Sequence, residues 1–455
     1  MQGLWTLFVP CVSVILKSFR IVGLEADTKL HGNQFNTVLS VFYITYILVE
    51  IPSNLIMKRM KPAASGLLPG IVLYLSTIYK PHELQYRSVP SGYSTLAHLY
   101  PAHSEASCSS LLATAILNMD GKANLAGWRW IFLLEGLATF VSSLICLYFL
   151  PSSLASAKFL TEEERDFALR RFHATTSPAT QTRDSPDIAL EKGDKGSITE
   201  NINAQSPAEI THFTEEHFEL REVIRGLTDF QAWVTAIAYL GLIVSLYSFS
   251  LFLPTIVAGL GYKGKSAQLH TVPPYVPATV LTVFVAFLSD RLKWRGPFIL
   301  ICLPSAIVGY ILAIAAKTNA QRYGAVFLIA AGVYPSAPSI LSILPNNGSG
   351  YYKRSTTIAL QLAVSNTGGF IATNIYTKDQ IPTFYRKGHS IVLGFLVLSW
   401  VMTAINILYC MRENKARANG ERQGNITAYE ELVRTGKTKA PIGDRYIAVL
   451  IAVHS

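Results

Sequence analysis

Charged residues are scarce in this chain. Lys, Arg, Asp and Glu together make up 15% of its 455 residues, whereas a soluble protein carries roughly 25%. Hydrophobic residues make up 50%, and the mean hydropathy is +0.31. The apolar residues come in blocks of about 20, the length of a helix that crosses a bilayer. The scarcity of charge therefore excludes an ordinary soluble protein and predicts an all-α membrane protein with several spans.

Residues that carry enzyme or metal chemistry are also sparse. The five cysteines lie apart, mostly inside apolar blocks, and none belongs to a CxxC or Cys/His ligand spacing: Cys11, Cys108, Cys146, Cys302 and Cys410. Small buried side chains are their simplest interpretation. No catalytic triad or metal-ligand cluster is recognisable, and we expect no nucleotide-binding loop. The sequence therefore predicts that the protein is not an enzyme and has no cofactor and no bound metal.

The net charge of +10 lies mostly in short loops and tails beside apolar blocks. Lys and Arg in such positions set the orientation of a membrane protein, since they stay in the cytoplasm. We therefore expect a lipid bilayer, and no nucleic acid, as the partner of these charges.

The second half of the chain has a clear pattern of apolar blocks separated by short polar loops. It contains candidate spans at 231–257, 272–289, 297–316, 324–344, 355–376 and 390–411. This pattern divides the chain into four parts: an N-terminal helical bundle (1–150), a partly disordered cytoplasmic linker (151–230), a C-terminal six-helix bundle (231–411) and a cytoplasmic tail (412–455).

The linker contains two helix signals. Thr161 and Glu164 have the spacing of a capping box at the start of an amphipathic helix, and a Ser/Thr/Pro-rich stretch follows. Residues 218–227 then predict a short helix that lies on the membrane surface or on the bundle. The linker and the tail carry many Lys and Arg residues and are separated by six spans, so the positive-inside rule places both in the cytoplasm.

The first half is irregular. Segments 36–57 and 128–150 are good candidate spans, but 63–79 is short and has Lys and Arg at both flanks. One span cannot begin and end on the same side of the membrane. Segment 88–118 carries Pro90, His98, Pro101, His103 and Glu105, which are costly in lipid. The charge pattern therefore predicts one lost span and one damaged span.

Several motifs in the second half are distinctive as a set. They are Pro345 to Arg354, Asn366 to Gly369, Asn374 to Tyr376, Pro382, Tyr385, Gly388-His389, and Leu288 to Arg291 with Arg295. The first half adds Gly32 to Gln34, Glu50 to Asn54, Gly66 to Gly70, His82-Glu83, Gln85 to Arg87, Gly127 to Phe132 and Glu135-Gly136. This set resembles the anion:cation symporter branch of the major facilitator superfamily, and within it the fungal allantoate and nicotinic acid permeases.

The resemblance implies a major facilitator fold, with two pseudo-symmetric helical bundles. Twelve spans are expected for the family, and this chain has room for about 10–11. Most of the family's first-helix motif is absent at Lys17 to Gly23, and about 40 residues are missing before Gly66 by comparison with the family's motifs. The stretch 88–110 resembles a frame-shifted fifth helix. The chain would thus be truncated within its N-terminal half, through gene decay or wrongly assigned introns.

The resemblance also implies roles for polar residues in the spans. Glu50 is the candidate for proton coupling or a gate, and Asp290, Arg291 and Arg295 are the candidate charge latch at the cytoplasmic end of the eighth helix. Candidates for the substrate cavity are Tyr247, Gln361 and Asn366, beside Tyr239 and Tyr334, and those for a structural motif are Arg129 and Glu135. Each also has a purely structural interpretation, as a helix partner, an interfacial anchor or an aromatic filler.

The implied function is secondary active transport, with proton-coupled uptake of a small organic anion such as allantoate, nicotinate or another carboxylate or vitamin. The expected partners are this anion, protons and lipid, for a monomer in the plasma membrane with both termini in the cytoplasm. The driving force would be the proton gradient. The alternative is a transport-inactive relative, either a nutrient sensor or the non-functional product of a decayed gene.

Overall fold

The computed structural model describes residues 161–167 and 219–435, together with isolated residues between 27 and 45 and between 121 and 141. Short gaps at 262–265, 267–268, 293–295, 348–350, 377–379, 381–382 and 422 interrupt the long stretch. The predictions for the lost span and the damaged span lie outside the described residues.

Helices dominate the described C-terminal part. They are α1 (Leu220–Leu227), α2 (Phe230–Gly259), α3 (Val272–Leu292), α4 (Gly296–Ala315), α5 (Asn319–Leu341), α6 (Ile343–Asn347), α7 (Tyr351–Ile375), α8 (Arg386–Ala418) and α9 (Gln423–Arg434). Within the part of the chain that the structure describes, five stretches are long and apolar enough to cross a membrane: Phe230–Pro254, Val272–Leu292, Gly296–Ala315, Asn319–Asn347 and Arg386–Ala418. The sixth helix of the bundle, α7, has 25 residues and is more polar.

The helices confirm the six apolar blocks and correct their ends. Helix α7 begins at Tyr351, so Lys353 and Arg354 belong to its first turn and not to a loop. Helix α8 begins at Arg386 and ends at Ala418, which takes His389 out of the predicted loop. Hydropathy marks only the part of a helix that lies in hydrocarbon, whereas the helix continues into the interface, where charged side chains reach water.

Two capping boxes mark helix starts. Glu164 N donates to Thr161 Oγ1 at 3.3 Å, and Thr161 N donates to Glu164 Oε2 at 3.0 Å, which confirms the predicted box. A second box precedes α5, where Gln321 N donates to Thr318 Oγ1 and Thr318 N donates to Gln321 Oε1. Both satisfy amide groups that have no partner inside the helix.

Close helix contacts hold the bundle together at small residues. A Cβ at Gly332 of α5 would lie 2.4 Å from the backbone nitrogen of Ala306 in α4, and a Cβ at Gly241 of α2 would lie 2.4 Å from the Phe395 carbonyl oxygen in α8. A larger residue at either position would force the neighbouring backbone to shift, and the close approach increases van der Waals contact where lipid offers no hydrophobic driving force. Helix α2 lies centrally and packs against α5, α7 and α8.

Helix α1 packs on the start of α7. Its buried face consists of Glu222, Val223 and Gly226, and a Cβ at Gly226 would lie 3.0 Å from Cβ of Thr356. The predicted short helix therefore lies on the bundle. Its opposite face exposes Leu220, Ile224 and Leu227, an apolar stripe suited to the lipid interface.

Candidate functional site

A cavity lies inside the bundle at the end where α2, α4 and α7 finish and α5 and α8 begin. We call this the cavity end, and the opposite end, which α1 adjoins, the linker end. The cavity encloses about 60 Å³, enough for a few water molecules but less than the roughly 300 Å³ of a typical ligand pocket. Its aromatic walls are Phe249, Tyr310, Tyr376, Phe384 and Tyr385, and its other polar lining residues are Arg322 and His389.

His389 lies buried in the first turn of α8, with 6% of its surface exposed. Its Nδ1 lies 2.9 Å from the hydroxyl oxygen of Tyr376 in the turn after α7. The ring also contacts the ring of Tyr310 in α4, at a centroid distance of 5.8 Å. A Cβ at the preceding Gly388 would lie 2.9 Å from Cε1 of Tyr376, so glycine is needed there for α8 to bring His389 to its partner.

The side chain of Gln380 holds the connection between α7 and α8 in place. Its Nε2 donates to the carbonyl of Ile375 at 2.9 Å, and its Oε1 accepts from the backbone nitrogen of Gly388 at 3.0 Å. This buried amide thereby binds the end of one helix to the start of the next. It satisfies backbone groups that the helix ends leave without partners.

The polar contacts of His389 continue into the bundle. Besides its hydrogen bond to Tyr376, His389 contacts the Tyr310 ring, and the Tyr310 hydroxyl accepts a hydrogen bond from Ser245 Oγ of α2 at 3.3 Å. The four residues come from α8, the end of α7, α4 and α2. They form a buried polar chain, which we call the His389 chain, from the cavity to the middle of α2.

The cavity is covered by an unusual turn. Phe384 and Tyr385 both have positive φ, at 51° and 57°, which costs a bulky residue roughly 1–3 kcal/mol. Tyr385 N donates to the Gln380 carbonyl at 3.0 Å. The guanidinium carbon of Arg322 lies 3.6 Å from the centroid of the Phe384 ring, close enough for a cation–π interaction. These contacts hold the turn over the cavity.

Arg322 is itself anchored at the start of α5. Its guanidinium donates to Asn319 Oδ1 at 3.0 Å and to the Ala316 carbonyl at 3.1 Å. Its Nε is buried without a hydrogen-bond partner among the residues that the structure describes. The fixed position keeps a positive charge beside the cavity.

A second polar cluster joins Ser250 of α2 to two buried tyrosines. The hydroxyl oxygens of Ser250 and Tyr334 lie 2.9 Å apart, and Tyr334 also contacts Tyr275 of α3, with ring centroids at 5.7 Å. All three residues are buried. Tyr334 thus links α2, α3 and α5 from within the bundle.

None of the three principal candidates for the substrate cavity lines this cavity. Tyr247 is partly buried against the core of the bundle, and Asn366 is 5% exposed. Gln361 is fully buried, and its Nε2 donates to the Ile340 carbonyl at 3.4 Å. Its Oε1 is buried without a partner among the described residues. These side chains lie on α2 and α7, which pack together at Val244 and Gly368.

The remaining candidates are scattered. Asp290 is partly buried and Arg291 exposed in the last turn of α3, and Arg129 is exposed in a helical stretch. Glu50, Glu135 and Arg295 lie outside the described residues. The candidates that the structure describes therefore do not lie together in one site.

Sequence reasoning assigned no role to His389 or Tyr376, although both belong to the motifs that carry the family resemblance. A usable signal was present, since His270 and His389 are the only histidines between Phe230 and Arg412. The buried contacts of His389 with Tyr376 and Tyr310 follow only from the way in which α4, α7 and α8 meet.

One prediction from the sequence, that no nucleotide-binding loop is present, needs correction. Residues Gly259 to Ser266 fit the pattern G-x-x-x-x-G-K-[ST] of a nucleotide-binding loop, contrary to the expectation that no such loop is present. The pattern requires a strand before it and a helix after it. Here it follows α2, a membrane helix that ends at Gly259, so the match lacks the context for phosphate binding. Within the described residues no group of His, Cys, Asp or Glu could hold a metal ion.

The family profile and similar curated proteins indicate the same family for this chain. The profile of the Major Facilitator Superfamily matches residues 107–373. An uncharacterized transporter of Schizosaccharomyces pombe is 30% identical over 436 residues, covering 88% of this chain and 78% of its own. The high-affinity nicotinic acid transporter of Saccharomyces cerevisiae is 25% identical over 431 residues, covering 87% of this chain and 72% of its own. Among solved structures, the proton:xylose symporter XylE aligns with a TM-score of 0.48 at 15% identity, covering 87% of this chain and 85% of its own.

The alignment with the Schizosaccharomyces pombe relative also reveals a difference in length. It runs over 436 positions but uses 88% of the 455 residues here, which is about 400. Taking 400 from 436 leaves roughly 36 positions of the relative without a counterpart inside this chain.

The matched profile covers more than half of the chain, and the relative aligns across most of it. Proteins of this kind carry a small molecule through a bilayer on an all-α membrane fold, and they neither catalyse a reaction nor need a cofactor. The chain belongs to the major facilitator superfamily and is a multi-pass membrane transporter.

Proposed function

We propose that the protein is a secondary active transporter that imports a small organic anion together with protons. In this proposal it works as a monomer in the plasma membrane, with both termini in the cytoplasm. The cavity end of the bundle then faces the outside of the cell, and the linker end faces the cytoplasm.

The observation that carries this proposal is the near absence of carboxylates from the C-terminal bundle. Between Phe230 and Arg412, Asp290 and Asp379 are the only acidic residues, and Asp290 lies in the last turn of α3. A carboxylate in a low-dielectric region would repel an anionic substrate strongly. A C-terminal bundle with so few carboxylates, and with Arg322 beside its cavity, favours an anion over a cation.

The relative that transports nicotinic acid supports the same class of substrate. An aromatic monocarboxylate would find aromatic walls and polar amide groups in this bundle. The substrate site is proposed to lie on the faces of α2 and α7 that carry Tyr247, Gln361 and Asn366, where Gln361 Oε1 has no hydrogen-bond partner among the described residues. Glu50 remains a proposed proton-coupling or gate residue of the first half.

The orientation is supported by the positive charges at the linker end. The segment before α2 contains Arg221 and Arg225, and α8 ends with Arg412, Lys415 and Arg417. Positive residues beside spans remain in the cytoplasm. Import then means that the anion and protons enter from the cavity end.

Uptake by reconstituted protein tests the proposal. The full chain is placed in proteoliposomes, and uptake of labelled nicotinate, benzoate or allantoate is measured with and without an inward proton gradient. Gradient-driven accumulation of one of these anions, abolished by a protonophore, is the expected result. A folded, membrane-inserted protein that neither accumulates nor exchanges any of them would support the transport-inactive alternative instead.

A further inference from the structure

We propose that the cavity at the end of the C-terminal bundle is a proton-binding site, in which Nε2 of His389 accepts the proton that is carried with the substrate. This inference rests on the proposed proton-coupled function and names the group that performs the coupling in the second half of the protein.

The first argument is the composition of the bundle. Proton coupling needs a group within the spans that gains and loses a proton near neutral pH. The two acidic residues between Phe230 and Arg412 lie at Asp290 and Asp379, near or beyond helix ends, and the two histidines are His270 and His389. Of the described members of this set, Asp290 ends α3 and His270 lies between α2 and α3, whereas His389 is buried inside the bundle.

The second argument is geometric. The only hydrogen bond of the His389 side chain among the described residues joins Nδ1 to the Tyr376 hydroxyl at 2.9 Å. When Nδ1 carries the hydrogen and donates it to Tyr376, the lone pair of Nε2 is left to accept a proton. His389 lines a cavity with room for a few water molecules. A proton delivered by water there binds Nε2 and converts the imidazole to an imidazolium, and its return to water restores the neutral ring.

The third argument is the connection to the rest of the bundle. The His389 chain reaches Ser245 in the middle of α2 through the ring contact of His389 with Tyr310 and the hydrogen bond from Ser245 to the Tyr310 hydroxyl. Helix α2 is also the helix that carries Tyr247 and packs against α7. A change of charge at His389 therefore acts on a buried cluster of contacts that joins α2, α4 and α8 to the end of α7, which provides a physical route from proton binding to helix movement.

Among the residues that the structure describes, few other titratable or charged groups lie around His389. Tyr310 faces it from α4, Tyr376 and Tyr385 face it from the connection between α7 and α8, and Arg322 lines the same cavity from α5. On α8 itself, Arg386 and Lys387 are exposed to solvent. Helix α2 contributes Phe249 and Ile256, which are uncharged. A carboxylate near this end would be attracted to Arg322 and to a protonated His389 together, so proton and anion would favour each other's presence.

The experiment separates driven uptake from exchange. His389→Gln keeps a side chain that can bond to the Tyr376 hydroxyl but does not titrate. In proteoliposomes this variant should lose the stimulation of uptake by a proton gradient, so that the ratio of the uptake rates with and without the gradient falls to about one. The rate of exchange of labelled for unlabelled anion should stay within about two-fold of that of wild type. Exchange needs no net proton movement, because the loaded carrier returns loaded.

The matched control is His270→Gln, which changes the other histidine at the same end of the bundle, outside the cavity lining. It should behave as wild type in both assays. An unchanged gradient stimulation in His389→Gln would overturn the inference while leaving the proposed function intact. Absence of gradient-driven uptake in the wild type would instead refute the proposed function.

A second variant decides the case in which His389→Gln does not fold. Tyr376→Phe removes the hydrogen bond to Nδ1 but keeps the ring that packs against Tyr385 and His389. The pH at which gradient-free uptake is half-maximal should shift in this variant, because one hydrogen-bond partner of the titrating ring is lost. A pH profile that coincides with that of wild type would overturn the inference.

Discussion

Nζ of Lys353 lies 2.7 Å from Oδ2 of Asp229 and joins the first turn of α7 to the residue just before α2. The Lys353 side chain is 7% exposed and that of Asp229 is 20% exposed. Both helices begin at the linker end, so this ion pair fixes the starting points of two central helices relative to each other.

The two single substitutions that break this pair should destabilise the bundle to different extents. Asp229→Asn removes the carboxylate partner of a buried ammonium and is expected to cost roughly 3 kcal/mol of unfolding free energy. Lys353→Gln leaves a carboxylate that is more exposed and should cost less. Apparent Tm in detergent ranks the two variants and the double variant, which should recover part of the loss. A larger loss of stability for Lys353→Gln than for Asp229→Asn would contradict the conclusion that Lys353 is the more deeply buried partner of this pair.

The close packing at Gly332 predicts that a larger residue there destabilises the protein. Gly332→Ala places a Cβ 2.4 Å from the Ala306 backbone nitrogen, and such overpacking costs roughly 1–3 kcal/mol. Gly324→Ala is the matched control in the same helix, since nothing lies within 4 Å of its Cβ position. The control should be neutral or slightly stabilising, because alanine favours helices. Equal apparent Tm values for the two variants would show that α4 and α5 are not so closely packed.

The Arg322–Phe384 contact predicts how easily the cavity opens. Phe384→Leu removes a cation–π interaction of about 1 kcal/mol, which should raise the opening rate about five-fold. A cysteine introduced at Ala313, on the cavity wall, reports opening through its rate of alkylation in a background without the native cysteines. Phe370→Leu is the control, since both phenylalanines are 40% exposed. Equal alkylation rates in the two variants would mean that Phe384 does not cover the cavity.

The contact between Asn406 and Thr235 predicts a measurable coupling between α2 and α8. Asn406 Nδ2 donates to Thr235 Oγ1 at 3.1 Å in a buried position. A double-mutant cycle with Asn406→Ala and Thr235→Val should give a coupling energy between about 0.6 and 1.7 kcal/mol, the range of hydrogen bonds between membrane helices. Asn406→Ala combined with Ser250→Ala should be additive, because Ser250 bonds to Tyr334 instead. Additivity in the first cycle would exclude an energetic contribution from this contact.

The sequence predicted the features that depend on neighbouring residues. Apolar blocks of spanning length predicted the helices of the C-terminal bundle, and Thr161 with Glu164 predicted a capping box that the structure confirms. The same reasoning applied to Thr318 and Gln321 would have found the second box. Helix ends were less accurate, since Tyr351 and Arg386 begin their helices four residues before the apolar blocks.

The candidate site could not be predicted in the same way, because its contacts join distant parts of the chain. Ser245 and Tyr310 are 65 residues apart, Ser250 and Tyr334 are 84 apart, and Thr235 and Asn406 are 171 apart. Hydropathy treats each of these polar residues as an isolated cost in an apolar block. Only packed helices show which polar groups satisfy each other.

By itself, therefore, the sequence determined the class of the protein, its helices and its resemblance to a transporter family, because apolar length, charge placement and short motifs are local properties. The tertiary structure decided that His389 bonds to Tyr376 beside a cavity and that Lys353 pairs with Asp229. The physical reason is that a buried polar group needs a partner, and helix packing alone determines which residue of another helix that partner is.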